Sequence, residues 1–407
     1  MPWKEVNSMD ERIKFVARYL GDECTMTELC RAFGISRKSG YKWIERYQAG
    51  GVSGLVERSR TPHSHPNALS PAIKRLILEA RARRPNWGPR KLKVVLERRH
   101  PGADIPAAST IGRVLKSEGL IKPKARRRRR SAPHGVPLVE YSHPNAVWCA
   151  DFKGHFPIAG NRCLPLTITD GYSRKILTCK AMTSSVTAPV MKVFERAFRE
   201  FGLPEVIRTD NGAPFSSLAP AGLSQLAVWW IKLNITPERI LPGRPDQNGR
   251  HERMHRTLKR ETASPPRSSF RAQQVAFDHF VRDFNQLRPH EGLGMDVPDQ
   301  HYRTSQRSYP SRVPDVEYPE HMVVTKTYPN GVISHEGTQW YISGCLANEM
   351  IGLEPTSTDT WRVYFGPKLL GVVDPRKERR RKCRSFGELI RSDGELTGRR
   401  RRKRRKR

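Results

Sequence analysis

The chain has 407 residues, with 74 Lys and Arg against 40 Asp and Glu, and a formal net charge of +34. Such an excess needs a polyanionic partner, DNA or RNA ahead of an anionic membrane surface. Its length allows two to four domains, its 37% hydrophobic residues exclude a wholly disordered chain, and no apolar run nears the roughly 18 residues of a membrane span.

The first block, residues 1–60, reads as small helices. Asp10 can cap a helix through Ile13, Val16, Ala17 and Leu20, an apolar stripe at helical spacing. Thr25 or Thr27 opens a second, Glu28–Phe33; Gly34-Ile35-Ser36 turns the chain, and Ser36 caps Arg37–Tyr47. Helix, short glycine turn and capped second helix make a helix-turn-helix. Leu29, Ala32, Ile35, Tyr41 and Ile44 are its expected core, and Arg37, Lys38, Ser39 and Lys42 its groove-facing side. After a Gly/Ser/Pro/His-rich spacer, residues 68–121 form a second helical module. Ser70-Pro71 opens one helix, Trp87-Gly88-Pro89-Arg90-Lys91-Leu92 another, and Ser109-Thr110 a third. Arg90 and Lys91 are its candidate DNA contacts. A basic linker, 122–137, follows with Arg126, Arg127, Arg128, Arg129 and Arg130 in a row, a run suited to lying on phosphates.

From residue 138 to 303 short strands give way to alternating helix and strand, the pattern of an α/β domain on a mixed sheet. Loop-rich sequence leads to short β-like runs over 315–375, spaced as in a small β-barrel, and then to a basic tail, 376–407, closing on nine cationic residues. The tail is expected to be disordered when free. Seven cysteines are scattered with no Cys-x2-Cys pair, so structural zinc is not expected. With no signal peptide at the N-terminus, the expected location is cytoplasmic.

The central domain carries the chemistry. Asp151 interrupts an apolar strand, Trp148-Cys-Ala-Asp-Phe-Lys153, where a carboxylate costs free energy unless a cation offsets it. Asp210 follows a strand directly and precedes an Asn-Gly turn, at the kind of strand end where ligands gather. Glu252 lies near the start of a helix, where the dipole favours negative charge. Three converging carboxylates make a hard oxygen site for Mg2+, with Mn2+ as a substitute. Two such ions roughly 3.5–4 Å apart serve in-line phosphoryl displacement. Singly, each residue is as well explained as a turn Asp or a surface ion pair. Arg253, Arg256, Lys259 and Arg260 recur at helical spacing beside Glu252 and are candidate phosphate contacts, with ordinary helix-surface charge an equal account. His251 and His255 flank the acid without completing a His-Glu-x-x-His pattern, and read as DNA-facing or packing residues.

Thr209-Asp-Asn-Gly-Ala-Pro-Phe215, Gly243-Arg-Pro-Asp-Gln-Asn-Gly-Arg-His-Glu-Arg253, Phe284-Asn-Gln-Leu-Arg-Pro-His290 and Asp170-Gly-Tyr-Ser-Arg174 together resemble the catalytic core of insertion-sequence transposases of the retroviral-integrase type, over roughly residues 140–303. The resemblance implies an RNase H-like core with catalytic acids Asp151, Asp210 and Glu252 binding two Mg2+ ions. Asp246 and Glu261 are the other carboxylates near the third position, and the 42 positions from Asp210 to Glu252 exceed the family's usual interval, which an insertion around Ser216–Ser224 accounts for. It also implies recognition of terminal inverted repeats, 3′-end cleavage and strand transfer by a homodimer or larger assembly on double-stranded DNA. Asn248, with Gln247 and Gly249, is expected near a DNA end. The rival readings are a non-catalytic DNA-binding regulator and a nuclease for RNA–DNA hybrids.

Overall fold

The computed structural model describes residues 8–22, 24–57, 69–121, 138–217, 219–241, 245–357 and 360–373. The basic linker with Arg126 to Arg130 lies outside the described residues, as do the tail and the side chain of Asp246. Contacts divide the chain into two compact units at Ser70.

The first unit holds α1 (Ser8–Leu20), α2 (Met26–Ala32) and α3 (Arg37–Gly54). Thr25 caps α2 in a reciprocal capping box with Glu28, and the Ser36 hydroxyl accepts the Ser39 N–H to start α3. Phe15, Val16, Leu29, Cys30, Ile44 and Leu55 form the core. The helix-turn-helix reading holds, but its packing face is rotated. Tyr41, Leu20 and Ala32, expected inside, are exposed, and Gly40 faces inward instead. A Cβ on Gly40 would stand 2.6 Å from the Cys30 sulfur, so α2 and α3 cross where only a hydrogen fits.

The second unit begins with α4 (Pro71–Arg83), α5 (Pro89–Arg99) and α6 (Ala108–Ser117), closed around Ile77, Trp87, Leu92, Leu96, Ile111 and Leu115. Then come β1 (Val147–Phe152), β2 (Phe156–Ile158), β3 (Asn161–Asp170) and β4 (Ile176–Met182). Next are α7 (Thr187–Phe201), β5 (Val206–Thr209), α8 (Gln225–Lys232), β6 (Thr236–Arg239), α9 (Gly249–Thr262) and α10 (Phe270–Arg282). The sheet runs β2-β3-β1-β5-β6, with β4 also paired to β3. β1, β3 and β4 pair antiparallel, whereas β1–β5 and β5–β6 are parallel, giving a mixed sheet. Alternation along β1 sends Trp148 and Ala150 into a core with α7 and α8, while Cys163 and Cys179 of β3 and β4 meet α9 and α10 on the other face.

After a short α11 (Pro298–His301) the chain reaches β7 (Val323–Lys326), β8 (Val332–His335), β9 (Thr338–Tyr341), β10 (Met350–Ser357), β11 (Thr360–Phe365) and β12 (Lys368–Val373). The expected small barrel is instead an open sheet, β12-β11-β10-β7, with β8 and β9 as a separate hairpin. Closure is unnecessary because helix α8 covers the sheet. Ala227, Val228 and Ile231 share its core with Leu353, Val363 and Phe365. Leu223, from the extra residues between β5 and α8, enters the same core, so the long Asp210–Glu252 interval contains a seat for the C-terminal sheet.

Candidate active site

Strand pairing brings the first two acids together. Ala150 on β1 is the register partner of Thr209, the last residue of β5, and Asp151 and Asp210 come directly after them. Neighbouring strands lie about 4.8 Å apart, so the two carboxylates leave adjacent points of one sheet. The Asp210 Oδ1 accepts the Gly212 N–H at 3.0 Å. A Cβ on Gly212 would sit 3.1 Å from Asp210 Oδ2, so a larger residue would crowd this carboxylate. Asn211 fastens the turn by donating to the Ile240 carbonyl at 2.7 Å, just beyond β6.

Glu252 comes from the first turn of α9. It faces Asp151 across an open cavity of about 530 Å3, also lined by Lys153, Arg256, Lys259 and Arg260. The Asp151 carboxyl is pushed up to about 7, chiefly by burial and next by the negative charge of Asp210, with Glu252 adding to it. Asp151 thus feels the charge of both other acids. Among the described residues none of them has a Lys or Arg within 4 Å, and Asp151 faces only His255 Nδ1, at 3.6 Å. Of the other carboxylates near the third position, Glu261 pairs with Arg288 at 3.0 Å and lies outside this cavity. Hard oxygen donors, half-buried at Asp151 and Asp210 and exposed at Glu252, with the Asp151 carboxyl raised by its acidic neighbours, are a donor set that fits a divalent cation.

Residues 141–245 and 233–298 each match an integrase core domain, 11–63 matches a helix-turn-helix domain, and 39–115 a homeodomain-like domain. An uncharacterized 39.2 kDa protein of insertion element IS476 from Xanthomonas euvesicatoria is 27% identical over 62% of this chain and 72% of its own length. An uncharacterized 31.7 kDa protein of insertion element IS407 from Burkholderia multivorans is 26% identical over 61% of this chain and 86% of its own. The chain carries an integrase core domain behind helix-turn-helix domains and is similar to proteins of bacterial insertion elements. It is a polynucleotidyl transferase with an RNase H-like core. Among solved structures, the HTLV-2 integrase catalytic core in complex with magnesium aligns with a TM-score of 0.31 and 18% identity, covering 40% of this chain and 99% of that one.

The expected DNA contacts are presented unevenly. Arg37, Lys38 and Lys42 are exposed on α3, while Ser39 is half-buried with its hydroxyl 3.0 Å from that of Ser36. Trp43 was not foreseen there: Arg12, Lys42 and Arg46 stack on its ring at 4.0, 4.7 and 5.1 Å. Their cationic ends are thereby held by an aromatic face. In the second module Arg90 is exposed beside Glu291, whereas Lys91 is half-buried, its amine lowered to about 8 by burial and then by Arg288. This module is docked on the core: Arg84 pairs with Asp283, and the buried Trp87 lies under the Arg84 and Arg288 guanidinium groups. Lys91 therefore points into the protein rather than to a groove.

On α9, Arg256, Lys259 and Arg260 line the acid cavity. Arg253 is turned away, into a separate cavity of about 150 Å3 with Lys91, Arg174 and Arg250. Asn248, at the turn into α9, is buried, with its Oδ1 lacking a partner among the described residues. His251 and His255 are buried and take the packing role, hydrogen-bonded to Thr167 and Thr169 of β3. Burial lowers them to about 3 and about 2, so both rings are neutral. Lys153, two residues past Asp151, was missed by sequence reasoning. Its only signal was proximity to the acid.

Proposed function

We propose that this transposase cuts the ends of its mobile element and joins them to target DNA, with Asp151, Asp210 and Glu252 holding two divalent cations. Mg2+ is the physiological choice, with Mn2+ able to replace it. One observation carries the reading: the register of β1 on β5 sets Asp151 and Asp210 side by side, and Glu252, from α9, lines one cavity with Asp151. Bound there, the cations supply positive charge to an attacking oxygen and to the leaving oxygen of an in-line phosphoryl displacement.

The chain's own residues do the rest. Asn211 and Gly212 hold the Asp210 turn in place. Arg256, Lys259 and Arg260 neutralise the phosphates of a strand laid along α9 and keep the scissile bond over the acids. Exposed Arg37, Lys38 and Lys42 read the terminal inverted repeats from the α3 helix. The reaction runs first with water, exposing a 3′-hydroxyl, and then with that hydroxyl on target DNA. Two ends must be joined coherently, so the working form is a dimer or larger assembly on DNA.

The test is a cleavage and strand-transfer assay with the element's end DNA and Mg2+, comparing wild type with Asp210→Asn. Nicked and joined products from wild type alone support the proposal. A wild-type protein that binds the ends but makes no product with any divalent metal overturns it in favour of a DNA-binding regulator.

A further inference from the structure

His255 stands one turn beyond Glu252 on α9, buried against β1 and β3. Its two ring nitrogens have different surroundings. Nε2 lies 2.6 Å from the Thr167 hydroxyl, whereas Nδ1 makes no hydrogen bond among the described residues and faces Asp151 Oδ2 at 3.6 Å. His251, one turn earlier, differs: its Nε2 is 2.7 Å from the same Thr167 hydroxyl and its Nδ1 is 2.9 Å from Thr169 Oγ.

The Thr167 hydroxyl also lies 3.1 Å from the Asp151 main-chain carbonyl. With its single proton given to that carbonyl, both imidazoles carry hydrogen on Nε2 and donate to Thr167. In that arrangement His251 accepts from the Thr169 hydroxyl at Nδ1, and His255 Nδ1 turns a lone pair toward the Asp151 carboxylate, which calls for a positive charge between them. Donors bonded to one cation at about 2.1 Å are separated by at most roughly 4.2 Å, and 3.6 Å falls within that reach.

We infer that His255 supplies a nitrogen ligand, through Nδ1, to the cation held by Asp151, so that the site is a mixed oxygen–nitrogen centre. The inference rests on the carboxylate reading above and adds a donor to it. His251, with both nitrogens engaged, orients Thr167 and does not ligate. An imidazole donor raises affinity for the later transition ions relative to Mg2+, so the site binds Mn2+ and Zn2+ more tightly than three carboxylates alone would.

Pulsed electron paramagnetic resonance of Mn2+ titrated into the full chain tests this without recourse to activity. The expected result is nitrogen modulation of the Mn2+ echo in wild type, changed to the 15N pattern by 15N-histidine labelling. It disappears in His255→Asn, whose Mn2+ affinity falls roughly tenfold. Mn2+ that binds wild type, is released in Asp151→Asn and shows no nitrogen coupling overturns the inference and leaves the carboxylate site standing. Wild type that binds no Mn2+ overturns both. If His255→Asn does not fold, the isotope change in wild type decides alone.

Discussion

Arg208 is the place to test how the catalytic strands are held. It sits on β5 two residues before Asp210, 2% exposed, opposite Cys149 of β1. Its Nε donates to Glu238 on β6 at 2.6 Å, and its other nitrogens donate to the Tyr141 hydroxyl and the Val139 carbonyl, both at 2.5 Å. Glu238 also accepts the Val139 N–H at 2.9 Å. Replacing Glu238 with Ala leaves a buried guanidinium without its counter-charge, which costs about 3–5 kcal/mol. The two remaining oxygen partners place this site at the lower end, about 3 kcal/mol. At about 2–4 °C per kcal/mol for a domain of this size, the melting temperature of the core falls by about 6–12 °C in differential scanning fluorimetry. Glu195, paired with Arg199 on the exposed face of α7, is the internal control. Its replacement by Ala is worth at most about 1 kcal/mol. A melting temperature within about 2 °C of wild type for Glu238→Ala would refute the reasoning. So would failure of the joint Arg208→Met, Glu238→Leu protein to recover most of the loss, since an apolar pair of similar size removes the orphaned charge.

Asp210→Asn is expected to abolish product formation while leaving end-DNA binding intact in a gel-shift titration; loss of binding as well would point to a folding defect. His290 is buried against Phe284 and lowered to about 3, by burial first and then by Lys91 and Arg288. Unfolded, it titrates near 6.5, so the unfolded chain takes up a proton that the folded one refuses, and stability declines as pH falls from about 6.5 toward 3. In His290→Asn the melting temperature should fall less steeply across that window, and an unchanged slope would count against the assignment. Lys38→Ala, on the exposed side of α3, should weaken binding and reduce the slope of log affinity against log salt by about one, read by fluorescence anisotropy at several salt concentrations.

How far the sequence foretold this molecule depends on which interactions set each feature. The three acids stood out as candidates only jointly: an Asp inside an apolar strand, an Asp before Asn-Gly and a Glu in a helix's first turn are each ordinary alone, and their motifs in this order set them apart. The capped second helix of the first module was legible locally, through Ser36. Its core was not. Whether Gly40 or Tyr41 faces α2 turns on a rotation of one residue, and a contact with Cys30 settles it. The docking of the second module was hidden as well. Trp87 and Lys91 read as part of a basic helical face, and only the position of Asp283 and Arg288, some two hundred residues later, turns them inward. The histidines illustrate the limit most clearly. Their spacing on α9 was plain, but the threonines they hydrogen-bond lie on β3, at a register that no local pattern in α9 contains.

Between Gln225 and Lys232, helix α8 is an unbroken run of buried apolar residues, Leu226 to Ile231. Trp229 and Trp230 belong to the core beneath the catalytic sheet, while Ala227, Val228 and Ile231 belong to that of the C-terminal sheet. Lys232 extends the attachment through Glu349 and Asp315. A chain shortened to the catalytic core would therefore expose a greasy stripe where the missing sheet had rested, and should precipitate unless those positions were made polar. For the lineage of such elements, the two parts cannot be exchanged separately by recombination at residue 315. A foreign C-terminal sheet would meet an α8 surface shaped for another partner, so the halves must be inherited together or remade together.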